Sequence, residues 1–294
     1  ARDTDVGAST LLVANRYCRE RRALLFVDPP AAWDSAGRAL AEMRNWALPS
    51  DTACMYFPRL LAYDKLRGHF EAFAPCGAVA GTLSRTADSM PVWSAATGDD
   101  TALRPGLRPV CAVDDNYRAR LAACGVNTVQ TVRRPGREVP IPCTMAGPGA
   151  GAADWRMLPA RRLAFLIINS IERGTRWMLF EPNEPATWRR AAAQVRAFLG
   201  SLEERGAFAH REPGDRWFVL CNERVNRESH RERGIVNILF GFSAARSGEF
   251  HAYMVSHRAG GSRAQAVSPN LTGLPGTGIT QALEGLELPA ERSA

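Results

Sequence analysis

Residues 158–206, LPARRLAFLIINSIERGTRWMLFEPNEPATWRRAAAQVRAFLGSLEERG, decide how the chain is read. Pro159 suits the first turn of a helix, where its missing N–H costs nothing. Leu163, Ile167 and Ile171 recur at i, i+4 and i+8, so one face of that helix is apolar. Gly174 is the expected stop, because glycine takes a left-handed C-terminal conformation without a Cβ penalty. Trp177–Phe180 is an unbroken apolar run, predicted as a strand buried on both faces. Asn183 is the predicted N-cap of a second helix, with Pro185 in its first turn. On that helix Trp188, Val195, Leu199 and Leu202 share one face, and Arg189, Arg196 and Glu203 form a separate charged stripe.

Outward from this block, residues 1–145 alternate helix and strand signals. A helix is predicted over Ser9–Arg19, with the Ser9 hydroxyl as its cap, and a strand over Ala23–Val27 ending at Asp28-Pro29-Pro30. Asp34 or Ser35 starts a helix carrying Ala39, Met43 and Trp46, and Thr52–Phe57 is a second strand. Pro75–Gly81 opens a helix of small residues running toward Arg85. Asp114 caps a helix containing Tyr117 and Leu121, ended by Gly125. Val126–Val132 and Glu138–Ile141 read as strands around a turn at Arg134-Pro135-Gly136. Such alternation predicts an α/β domain with a parallel, doubly wound sheet.

Gly147–Ala152 has linker composition and sets a boundary near 146. Beyond it, strands are predicted at Trp217–Cys221, Gly234–Phe242 and Glu249–His257, giving a smaller α+β unit over 146–257 with mixed or antiparallel strands. From Arg258 to Ala294, Gly, Ser, Pro and Thr dominate without periodicity, which predicts a flexible tail.

Composition narrows the function. The 294 residues carry a formal net charge of +7, almost all of it arginine, since Lys65 is the only lysine. The arginines are scattered rather than massed, so direct nucleic-acid binding is not expected. No apolar run approaches the ~20 residues that span a bilayer, so no membrane partner is expected. Seven cysteines form no C-x-x-C and read as reduced thiols; neither metal nor cofactor is expected. There is no G-x-x-x-x-G-K-[ST] phosphate loop. Asp28, His69 and Ser84 follow the chain order of a subtilisin triad, but Ser84 is predicted inside its helix and the Gly-Thr-Ser context of such a nucleophile is absent.

The stretch 161–199 closely resembles the C-terminal region of phage-type contractile tail sheath proteins, with an arginine-led apolar helix, a Trp-led segment running into Phe-Glu-Pro-Asn and a Trp-containing helix. Further positions resemble the same family: Asp28-Pro29-Pro30 after a strand, Tyr56-Phe57-Pro58, Pro75–Gly81, Arg85-Thr86-Ala87-Asp88 and Gly125-Val126-Asn127. Together they span Arg19–Val255.

The resemblance implies a subtilisin-like α/β domain, a sheath C-terminal domain and a structural rather than enzymatic role. It further implies homo-oligomeric hexameric rings stacked helically around an inner tail tube, capped by baseplate and terminator proteins. Such a particle would be assembled in a bacterial cytoplasm and carried on a phage tail or related injection system. Neighbouring subunits would exchange strands on the C-terminal sheet, here through Trp217, Val219, Cys221, Ile235, Asn237, Leu239, Phe250, Ala252 and Met254. Arg189 and Arg196 would face the tube. The rival readings are a subtilisin-like serine hydrolase and an arginine-rich nucleic-acid-binding module.

Overall fold

The computed structural model describes residues 6–43, 49–95, 101–129, 142–146, 154–208, 216–244 and 250–267. Trp46, the expected strand over Glu138–Ile141, its turn at 134–136, the linker at 147–152 and the tail beyond Val267 lie outside these. The chain divides into two compact units after Arg162.

The first unit is built on a three-stranded parallel sheet, β1 (Leu25–Val27), β2 (Ala53–Phe57) and β6 (Val126–Thr128), in the order β1-β2-β6. On β6, Asn127 acts as a clamp: its side-chain carbonyl accepts from the Cys143 amide at 2.7 Å, and its Nδ2 donates to the carbonyls of Cys143 at 2.8 Å and Met55 at 3.1 Å. One side chain thus pins segment 142–146 beside β2 and β6.

Helices α1 (Ala8–Arg21), α2 (Ala36–Met43), α3 (Cys76–Ser89) and α4 (Asp115–Ala123) surround the sheet in sequence. Val27, Trp33, Ala39, Leu40, Met55, Phe57, Leu121 and Val126 form its core. Asp114 caps α4 as expected, accepting from the Tyr117 amide at 2.8 Å. Ser9 does not cap α1, which begins at Ala8 with Gly7 at its N-cap and no side-chain cap. A separate antiparallel sheet, β3 (Leu60–Asp64), β4 (His69–Phe73) and β5 (Arg108–Pro109), runs in the order β4-β3-β5.

Gly125 shows why Gly-Val-Asn stands before β6. Its φ is +83°, and a Cβ there would lie 2.9 Å from Met145 Cα and 3.0 Å from the Thr144 carbonyl. Both the left-handed backbone and the close approach exclude a side chain. Gly125→Ala is therefore expected to destabilise this unit by about 2 kcal/mol or more, read as a lowered urea midpoint at unchanged m.

The second unit is a four-stranded antiparallel meander with helices. β7 (Trp217–Leu220), β8 (Val236–Ser243), β9 (Phe250–Arg258) and β10 (Gly261–Val267) lie in the order β10-β9-β8-β7. Phe240 and Phe242 stack with Tyr253 across the β8–β9 pair. Helix α5 (Leu158–Gly174) carries Leu163, Ile167 and Ile171, all buried, and the unit boundary falls within it. Helix α6 (Pro185–Glu204) buries Trp188, Val195, Leu199 and Leu202. The short α7 (Glu228–Glu232) precedes β8.

Four expectations are corrected here. Residues Arg176–Phe180 form a 3-10 helix rather than a strand. The Thr175 hydroxyl donates to the Ile171 carbonyl at 2.6 Å and the Met178 amide to the Thr175 carbonyl at 3.1 Å, so the chain keeps turning past α5. Only Met178 is then fully buried, while Phe180 is 90% exposed; tight helical turns do not bury both faces of a four-residue run. Gly174 is the last helical residue and has no positive φ; its carbonyl is capped by Gln194 Nε2 at 3.0 Å.

Asn183 does not cap α6, where Glu184 is the N-cap residue. It accepts instead from Trp188 Nε1 at 2.8 Å and donates to the Ile235 carbonyl at 3.0 Å. Finally, the predicted tail from Arg258 onward contains the last residue of β9 and the whole of β10, joined by the two residues Ala259 and Gly260. The alternation Ser262, Arg263, Ala264, Gln265, Ala266 is a period-two pattern that composition alone hides.

Candidate assembly surface

What the second unit's sheet offers a partner is fixed by hydrogen-bond parity. In an antiparallel pair, residues alternate between those bonded to the facing strand and those whose N–H and C=O point away. The Ser243 amide donates to the Arg216 carbonyl at 2.9 Å. With the observed register, Phe218 and Leu220 therefore bond to β8, and Trp217 and Val219 turn their backbone groups outward. The same alternation carried across β8 and β9 leaves the outward groups of β10 on Ser262, Ala264 and Ala266.

The nine residues singled out for strand exchange are thus divided. Trp217 and Val219 lie on an outer edge with outward backbone, and Cys221 follows them. Asn237 and Leu239 sit on β8, Ala252 and Met254 on β9, interior strands paired on both sides. Ile235 precedes β8, and Phe250 opens β9. The edge residues that sequence reasoning missed are Ser262, Ala264 and Ala266, because the segment was read as a tail.

The two edges differ. On β10, three residues with small side chains present N–H and C=O groups that take no backbone partner among the described residues. On β7, α6 lies alongside. Glu203 accepts from Trp217 Nε1 at 2.7 Å and pairs with Arg216 at 3.1 Å. Seven residues earlier on the helix, Arg196 donates to the Val219 carbonyl at 3.2 Å. Seven earlier again, exposed Arg189 lines a shallow pocket with Pro185, Trp188, Cys221, Asn222, Glu223 and Arg224. The charged stripe read from the sequence therefore runs down β7.

Beyond Leu220 the strand is replaced by a side chain. Asn226, 1% exposed, accepts from the Asn237 amide at 2.6 Å and donates to the Asn237 carbonyl at 3.0 Å, taking the place a continued β7 would hold. The Asn237 side chain donates to the Val225 carbonyl at 2.9 Å and accepts from Ser256 Oγ at 2.6 Å. Burial pushes the Cys221 thiol up to about 12 and that of Cys143 up to about 11, so both stay protonated and non-nucleophilic at neutral pH.

The root of the β9–β10 hairpin is a buried histidine. Thr175 Oγ1 spends its proton on the Ile171 carbonyl, so the 2.8 Å contact with His257 Nε2 requires the ring N–H to donate. In a neutral ring Nδ1 then accepts from Ser262 Oγ at 2.7 Å. Burial lowers the His257 pKa, buried Glu172 opposes that and Arg176 adds to it. A lowered folded pKa means stability that is present above the ordinary value of 6.5 and lost as pH falls through the folded value. Acidification from about pH 7.5 to about pH 5 should weaken this unit, and His257→Gln should flatten that dependence in urea titrations.

The subtilisin-ordered residues have separate partners. Asp28 Oδ1 accepts from the Cys76 amide at 3.0 Å, starting α3. His69 Nδ1 lies 3.1 Å from the Arg67 carbonyl on exposed β4, and Ser84 sits within α3. Glu181 pairs with Arg190 at 3.1 Å, and Arg190 lies 4.0 Å over the Trp177 ring. No cluster of His, Cys, Asp and Glu fit to hold a metal occurs among the described residues, and no helix among them is long and apolar enough to cross a membrane.

No family model matches the chain, and no curated protein matches it by sequence. Solved structures do. A chain of the anti-feeding prophage baseplate aligns at 24% identity and TM-score 0.57, over 67% of this chain and 52% of its own length. The sheath of an extracellular contractile injection system, PVC, in its contracted state aligns at 24% identity and TM-score 0.60, over 75% and 59%. A sheath tail protein from Listeria innocua aligns at 14% identity and TM-score 0.59, over 87% and 54%. The chain thus shares the fold of contractile tail sheath proteins and spans a little over half the length of each of these three.

Proposed function

We propose that the chain is a structural subunit of a contractile tail sheath, forming hexameric rings stacked around an inner tube and contracting to drive that tube through an envelope. The observation that carries this reading is the sheath fold together with an antiparallel sheet whose β10 edge is open. An exposed strand edge is normally a liability for aggregation. On a subunit made to polymerise, it is the means of joining copies by strand addition. Residues 268–294 follow β10 directly and, extended at ~3.3 Å per residue, would reach ~90 Å, enough to engage a neighbouring copy.

Each exchanged backbone hydrogen bond contributes only ~1 kcal/mol net. Several per subunit, repeated through a lattice, would hold the mesh while rigid units repack. The three-stranded parallel sheet is proposed as part of a wider, doubly wound subtilisin-like sheet. The inner tube, baseplate and terminator proteins are the proposed partners, with assembly in a bacterial cytoplasm and residence on the tail. Arg196 is engaged with Val219, so Arg189 is the better candidate to meet an acidic tube surface.

Negative-stain microscopy of the purified full chain, alone and with its tube protein, tests the proposal. Rings or striated tubes are expected. A strictly monomeric species under both conditions overturns it.

A further inference from the structure

We propose that Arg196 and Glu203 of α6 are a cover for the β7 edge, making strand addition to this sheet one-sided: an extended segment of a second copy is admitted at β10 and refused at β7. This inference rests on the strand-exchange reading above and names the edge that it uses.

The geometry is specific to this pair. Only Trp217 and Val219 turn backbone groups outward on β7. Arg196 occupies the Val219 carbonyl, and the charge-assisted bond is stronger than a neutral one that an incoming amide would offer. Glu203 holds the Trp217 ring and the Arg216 guanidinium at the strand's start. An added strand would have to lie where these side chains reach the edge. At the strand's other end Asn226 closes the Asn237 backbone, so β7 offers no continuous ladder.

The β10 edge has the opposite character. Ser262, Ala264 and Ala266 alternate outward over five residues with no proline; the one charged residue between them, Arg263, turns its backbone toward β9. Edges left to solvent are usually guarded by charge or proline; here a side chain occupies an outward backbone carbonyl on β7, whereas on β10 the outward backbone groups take no partner among the described residues. The proposed occupant is the 268–294 segment of a second copy, and the small side chains on β10 leave room for its backbone.

The test is amide hydrogen exchange on the full chain, dilute and assembled, for the wild type and for the double variant Arg196→Met with Glu203→Gln. In the wild type, assembly should slow exchange at Ser262, Ala264 and Ala266 by about tenfold or more and leave Trp217 and Val219 unchanged. In the double variant, Trp217 and Val219 should become protected as well on association, with irregular aggregates replacing uniform particles. Equal protection of both edges in the wild type overturns one-sidedness but keeps strand exchange. Assembled particles in which neither edge gains protection overturn strand exchange and this inference with it. A variant that assembles like the wild type, with Trp217 and Val219 still unprotected, shows that the pair is no cover.

Discussion

Ala264→Pro is expected to abolish ring and tube formation while leaving the subunit folded. The Ala264 N–H points away from β9, so proline removes no bond from the existing sheet. Edge strands tolerate proline where the missing N–H faces solvent. The residue before it, Arg263, is already extended, as a residue preceding proline prefers. What is lost is the central of the three outward amides, and the pyrrolidine ring projects into the line that an added strand would occupy. The neighbouring position supplies the control by parity. Gln265 turns its N–H toward β9, opposite Met254, so Gln265→Pro should cut the existing ladder and lower stability by about 3 kcal/mol. Thermal unfolding and microscopy separate the two: a stable Ala264→Pro protein that builds normal tubes would mean that β10 is not the joining edge.

What could be read from the residues follows physical lines. The apolar faces of α5 and α6 were legible because helical periodicity survives in any context, and Leu163, Ile167, Ile171, Val195 and Leu199 are all buried. Asp114 was legible because a short polar side chain before a helix has one common use. The Trp177–Phe180 run misled because an apolar tetrapeptide carries no period, and the Thr175 hydroxyl, four residues beyond Ile171, kept the backbone helical. Asn183 misled because an amide before a helix can equally bridge two distant groups, and that choice depends on where Trp188 and Ile235 arrive.

The assembly surface was legible only in part. A charged stripe at Arg189, Arg196 and Glu203 can be seen in a helical projection, but what it faces is a tertiary fact. A solvated or tube-facing stripe and one that runs along a strand look alike in sequence. The parity of the outer edges is set by register, and a shift of one residue would exchange Ser262, Ala264 and Ala266 for their neighbours. Asn127 and Asn226 show the same limit: each replaces a missing length of strand with one carboxamide, and nothing local distinguishes them from surface asparagines.

Asn226 carries a large expected effect on stability in the second unit. Its carboxamide makes reciprocal bonds to the N–H and C=O of Asn237, itself only 2% exposed. Asn226→Ala would leave the Asn237 N–H buried without a partner and the carbonyl with only the weak Cys221 thiol donor at 3.4 Å, at a cost of about 2–3 kcal/mol. Asn226→Asp separates the two bonds. A carboxylate still accepts from the Asn237 N–H but faces the Asn237 carbonyl with a lone pair, so this variant should be less stable than wild type at neutral pH. Protonation turns the carboxyl into a donor toward that carbonyl, and the deficit relative to wild type should shrink as pH falls. That sign is opposite to the acid weakening expected from His257, so chemical denaturation of wild type and variant at matched pH values distinguishes them. A deficit that does not change with pH would mean that the Cys221 thiol satisfies the Asn237 carbonyl by itself and that the clamp is worth only its N–H bond.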